Sequence, residues 1–184
     1  MSECVKVLRD ELPYNLHIFV NSVEFIAKVI DTLKLAPEAV KVVCSTSGES
    51  RQENQRKLGN AYPIGQPSDP AKKVNFYTST CFEGCDIFDP DGVTFIVSDG
   101  RKAHTLLDIS TLFTQICGRI RDSRYKAQIV HVYSTTKYSK AVTLDEFVAA
   151  TQRTLADAES YAAEINSLSE ATRVKTLSKI PYIN

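Results

Sequence analysis

The chain has no long apolar run. Its hydrophobic stretches fall far short of the roughly 20 residues that cross a bilayer, so no membrane partner is expected. Residues 1–11 mix acids and bases and hold no apolar signal core, which makes a cytoplasmic location the simple expectation. Net charge is missing too: 22 bases balance 22 acids. A chain without an overall basic field is poorly suited to strong autonomous nucleic-acid binding. Cysteines are few and odd in number, at 4, 44, 81, 85 and 117, and they form no two zinc-type pairs. Reduced thiols are therefore expected, and no metal site. Internal repeats and low-complexity tracts are absent. So is a phosphate loop: G-x-x-x-x-G-K-[ST] does not occur, and no Asp-Glu pair follows a strand to hold magnesium. Alone, this chain is not expected to cradle a triphosphate in the usual way.

What is present suits one domain with a sizeable core and a small appendage: 184 residues, 43% hydrophobic and 24% charged. Short apolar runs at residues 16–20, 40–44, 74–78, 93–97 and 127–133 read as strands. Helical spacing appears at Val23, Phe25, Ile26, Val29, Ile30 and Leu33, with Ser22 placed to cap the first turn. A short helix is expected near residues 51–58. Helical spacing recurs over residues 108–121 at Ile109, Leu112, Phe113, Ile116 and Ile120. Near-continuous apolar strands with helical connections indicate an α/β fold, a parallel sheet of five or six strands with helices on both faces. A helical extension follows over residues 143–168, where Thr143 and Glu146 have capping-box spacing. The expected division is residues 1–138 for the sheet domain and 139–184 for the extension.

In parallel sheets, ligands bind beyond the carboxyl ends of the strands. Two segments there carry chemistry. In FYTSTCFEGCDI, residues 76–87, hydroxyls and a glycine follow a strand end. Hydroxyls and free amides suit phosphate oxygens, and glycine lets backbone approach a ligand closely. In QICGRIRDSR, residues 115–124, three arginines follow a helical run. Guanidinium groups suit bidentate phosphate contact. Gly118, if inside a helix, costs roughly 1 kcal/mol relative to alanine and needs a reason. By spacing alone, the plainer readings are a loop with a necessary glycine and a basic helix end. Charge is also segregated. Residues 79–99 carry five acids and no base, whereas residues 101–126 carry six bases and two acids.

Together these segments resemble the second RecA-like domain of superfamily 2 helicases. Thr78, Gly84 and Asp86 are similar to that family's T-x-x-x-x-x-G-x-D element. Gln115, Gly118 and Arg119 are similar to the start of its Q-x-x-G-R-x-x-R element. The strand and turn ending in Asn21-Ser22 resemble a third motif in the same order. The resemblance covers roughly residues 14–135. The run FEGCD looks closest to plasmid, phage or origin-associated DNA helicases.

The resemblance implies a RecA-like fold and a C-terminal motor lobe of an ATP-dependent helicase or translocase, acting on DNA rather than RNA. It implies that Asn21, Ser22, Thr78 and Ser79 contact the nucleic-acid backbone. Gly84, Asp86, Gln115 and Arg119 would line the ATP site. Arg119 and Arg121 would be catalytic, with Arg121 as arginine finger. ATP with magnesium would be held mainly by an N-terminal RecA-like lobe, expected in the same full-length chain. One departure stands out. The family's last arginine falls at Asp122, with Arg121 one position early and Arg124 two late. The alternative is a degenerate lobe kept as a binding module. His17 and His131 sit in strand patterns and His104 follows a strand, and none is expected to be catalytic.

Overall fold

The computed structural model describes residues 2–134 and 142–177. The chain divides into two compact units, residues 1–136 and 137–184. The boundary expected between 138 and 139 lies outside the described residues.

In the first unit, helix α1 (Ser2–Leu8) leads into strand β1 (Asn15–Phe19). Helix α2 (Val23–Leu33) follows, then β2 (Val40–Val43), α3 (Glu49–Leu58), β3 (Val74–Tyr77) and β4 (Gly92–Asp99). A π-helical turn (Ile109–Phe113) runs into the short α4 (Thr114–Cys117), and β5 (Ile129–Ser134) closes the unit. All five strands are parallel, in the order β2-β3-β1-β4-β5. This is an α/β architecture consistent with a RecA-like fold.

The apolar strands form this sheet because both of its faces are covered. Leu16 and Ile18 of β1 pack with Ile26, Val29 and Ile30 of α2, Val7 of α1 and Leu58 of α3. On the opposite face Phe19, Val43, Tyr77 and Ile96 pack under Cys81, Phe82, Ile87 and Ile116. Full burial of each large apolar side chain contributes about 1.5–3 kcal/mol, so the central strands are held from both sides. Ser22 caps α2 as expected, its hydroxyl accepting the Phe25 amide at 3.2 Å. Lys34 ends α2 in the left-handed conformation, φ 50°.

Three local expectations change. The helix expected over residues 108–121 is shorter, because α4 ends at Cys117 and Gly118 is its C-cap, φ −95°. Ile120 leaves the helix and pairs with Ile87 as a parallel bridge. Strand β5 is not buried: Tyr133 is 65% exposed and Val132 49%. It is one of two edge strands, and the packing that buries β2 at the other edge does not extend over it. Helix α1 was not foreseen, although Cys4 and Val7 bury one of its faces.

In the second unit, α5 (Leu144–Ser167) carries the expected capping box, with the Thr143 amide donating to Glu146 at 2.8 Å. Helix α6 (Glu170–Leu177) follows. No helix among the described residues is long and apolar enough to cross a membrane.

A buried polar cluster joins the sheet to the loop between β3 and β4. His17 is fully buried, its Nδ1 3.0 Å from the Tyr77 hydroxyl and its Nε2 2.8 Å from Asp89. Asn15 also donates to Asp89, and so does the Asp91 amide. Gly92 completes the arrangement. A Cβ there would lie 2.9 Å from His17 Nε2 and 3.2 Å from Ile120 Cδ1. We expect Gly92→Ala to destabilise the unit by about 1–3 kcal/mol, because an overpacked core must shift its neighbours. Chemical denaturation checks this.

Candidate functional site: the arginine-bearing rim

The two chemistry-bearing segments lie side by side. The Ile87 amide donates to the Arg119 carbonyl at 2.9 Å, and the Arg121 amide donates to the Ile87 carbonyl at 3.0 Å. Further along, the Asp89 amide donates to the Asp122 carboxylate at 2.9 Å, and the Arg124 amide to the Pro90 carbonyl at 3.0 Å. The Ser123 hydroxyl donates to the Gly92 carbonyl at 2.6 Å. Residues 85–92 and 119–124 are thus laced together by backbone and side-chain bonds. Asp122, the departure from the motif, has a defined place in that lacing.

The arginines divide into two kinds. Arg119 is 8% exposed. Its Nε donates to the Gln115 carbonyl at 2.9 Å, its Nη2 to Gln115 Oε1 at 2.8 Å, and its Nη1 to the Cys85 carbonyl at 2.9 Å. Its guanidinium therefore fastens the end of α4 to the loop after β3. Arg121 is different. Its Nε lies 2.7 Å from Asp86 Oδ1, and both side chains are 48% exposed. An ion pair this open to water contributes only about 0–1 kcal/mol, so a better anion can displace Asp86 readily. Arg124 is paired with Asp91 in the same way. Of the residues expected at a nucleotide site, Gly84, Asp86, Gln115 and Arg121 reach the surface, and Arg119 is buried. Gln115 and Arg119 bond to each other.

The glycines sharpen this picture. Gly84 has φ +70° and open space where a Cβ would be, so the turn itself requires glycine. Gly118 has no such requirement. A Cβ there would meet Gln115 O at 3.7 Å and Arg121 Nη1 at 4.0 Å, both ordinary contacts. Nothing in this chain explains why position 118 lacks a side chain beside the exposed guanidinium.

At the carboxyl edge of the sheet, Asn21 ties three strand ends together. Its amide donates to the His104 carbonyl at 2.9 Å, and its side-chain oxygen accepts the Ser79 amide at 3.4 Å. Thr78 and Ser22 are buried, whereas Ser79 and Thr80 are exposed. The four expected backbone-contacting residues are close in space, but of them only Ser79 is exposed. Thr80, which the motif reading omitted, stands beside it. Next to them, Thr105 Oγ1 accepts the Asp99 amide at 2.9 Å and orders the turn after β4. The Asp99 carboxyl is held down to about 2 by Arg101, Ser134 and the Arg101 amide.

The thiols suit a structural part. Burial pushes Cys44 up to about 11, and burial together with Cys85 pushes Cys81 up to about 12. Such thiols are poor nucleophiles at neutral pH. Among the described residues, no group of three His, Cys, Asp or Glu side chains could hold a metal ion.

No known protein family, curated protein or solved structure matches the chain.

Proposed function

We propose that residues 1–136 form the C-terminal motor lobe of an ATP-dependent nucleic-acid helicase or translocase, working on DNA rather than RNA. The observation that carries this reading is the lacing of the Gly84-Cys85-Asp86 turn to the Arg119-to-Arg121 segment, with Arg121 at the surface. In this reading Arg121 leaves Asp86 and meets the charge that develops on the transferring phosphoryl group. Asp86 is then free to accept a ribose hydroxyl. Arg119 and Gln115 hold the rim in place rather than touching phosphate. Ser79 and Thr80, with Asn21 fixing their turn, meet the nucleic-acid backbone. An N-terminal lobe supplies the phosphate loop and the magnesium site. Closure of the two lobes on ATP and their release after hydrolysis would move the strand contacts.

The test is ATP turnover by this chain alone and by the two-lobed protein. Turnover should be negligible alone and substantial when both lobes are present; substantial turnover by this chain alone contradicts the reading. Gly118→Ala adds a sharper check. The substitution should change folding stability by no more than about 0.5 kcal/mol, as for an exposed site. It should still slow turnover in the two-lobed protein, because it crowds the ground next to Arg121. Full activity in that variant would remove the functional explanation for Gly118.

A further inference from the structure

Beside the rim lies a cleft of about 130 Å³ that no motif pointed to. Its walls include Pro67 and Pro70 on one side and Asp86, Ile87 and Phe88 on the other, with Lys41 among the lining residues. Lys41 is buried, and its ammonium donates to the Pro67 and Asp69 carbonyls. That holds the proline-bearing loop in position. Phe88 is the unusual member. It is 68% exposed, although its neighbour Ile87 is locked into the core by the bridge to Ile120.

That bridge determines the geometry. With Ile87 inward in a paired, extended segment, the residues on either side of it face outward. Asp86 and Phe88 therefore stand on the same side, roughly 7 Å apart along the chain. In the parallel register of the bridge Arg121 lies abreast of Phe88, and its Nε reaches back to Asp86 at 2.7 Å. The rim thus gathers an aromatic face, a carboxylate and a guanidinium at adjoining positions.

We infer that Phe88 is the base platform of a ribonucleotide site: the nucleobase stacks on Phe88 at the mouth of the cleft, the ribose hydroxyls donate to Asp86, and the phosphates meet Arg121. The inference rests on the proposed function for the phosphate end and adds to it a site for the base. Flat aromatic bases stack on aromatic side chains with little regard to base identity. The site is therefore expected to bind purine and pyrimidine ribonucleotides alike. The carboxylate favours a sugar with free hydroxyls, since an ionised Asp only accepts hydrogen bonds.

The chain contains no tryptophan, so Phe88→Trp places a single reporter at the site. Phe88 is exposed, and its substitution leaves the core untouched. Millimolar ATP should quench the Trp emission to saturation, whereas inorganic tripolyphosphate should bind without quenching. Phe88→Ala should weaken ATP binding about tenfold, the scale of one lost base stack, and leave tripolyphosphate binding unchanged. Arg121→Ala should weaken both ligands. Unmoved Trp emission, with equal ATP affinity in the parent and in Phe88→Ala, overturns the base site while the phosphate site stands. Tripolyphosphate that binds equally well to the parent and to Arg121→Ala overturns the phosphate end; if neither ATP nor tripolyphosphate binds this chain, the base site is overturned, while the motor reading, with its phosphate loop on the other lobe, stands.

Discussion

Arg121→Ala will lower ATP turnover of the two-lobed protein by about 10³-fold or more, the scale on which an arginine finger acts in phosphoryl transfer. The folded state should hardly notice. Arg121 is half-exposed, and its side-chain partner is the equally exposed Asp86, so the stability change should stay within about 0.5 kcal/mol. Arg119→Ala gives the opposite signature. Its guanidinium makes three bonds within the chain, and its loss empties a buried site and unties α4 from the loop after β3. Truncating a buried, bonded side chain costs about 0.5–3 kcal/mol, so Arg119→Ala should lower stability first and activity as a consequence. Steady-state kinetics and thermal melts on both variants separate the roles. If the lobe is instead a binding module, as the aspartate at position 122 would allow, Arg121→Ala will change neither turnover nor stability.

The largest stability effect is expected at the buried cluster beneath the rim. Asp89→Ala leaves the fully buried His17 without its 2.8 Å partner. Leaving a buried hydrogen-bonding group without its partner costs roughly 1–3 kcal/mol, and Asn15 and the Asp91 amide lose the same partner. For a unit of this size the melting temperature should fall by roughly 10 °C or more. The same group sets an acid limit. Burial alone would raise the Asp89 carboxyl, but hydrogen bonds from His17, Asn15 and the Asp91 amide outweigh it and hold the carboxyl below its ordinary value. A carboxyl depressed in the folded state stabilises that state above its unfolded pKa. The contribution is lost as pH falls through the folded value. Stability should therefore drop below about pH 4, and Asp89→Asn should flatten that part of the profile. A melt series across pH reads both effects. The cluster also matters to the rim, because the Asp89 amide is held by Asp122, next to Arg121.

The parts of the fold that could be read in the sequence were those with local signals. Apolar strands, the Ser22 cap and the Thr143-Glu146 capping box each follow from residues close together in the chain. The end of α4 did not, because an apolar residue four positions after Ile116 fits a continuing helix and a bridge equally well. Ile120 takes the bridge because Ile87, 33 positions earlier, offers a backbone partner. The apolar run of β5 predicts burial, but composition does not say which edge of the sheet is covered: β2 is buried at one edge and β5 is not at the other. Along the chain the acid-rich and base-rich segments are separate. In the fold they neutralise each other through Asp86 with Arg121, Asp91 with Arg124, and Asp99 with Arg101. His17 and Asp89 are 72 residues apart, and no spacing rule links them. Phe88 was invisible for the same reason: its exposure follows from Ile87 pairing across the rim.

The most direct measurement is a structure of the two-lobed protein closed on ADP with a phosphoryl transition-state mimic. The Arg121 guanidinium should have left Asp86 and lie about 3 Å from the oxygens of the mimic, the distance at which donors stabilise developing charge. A closed complex in which Arg121 remains on Asp86, and the nucleotide touches none of Gly84, Asp86 or Arg121, would contradict the account.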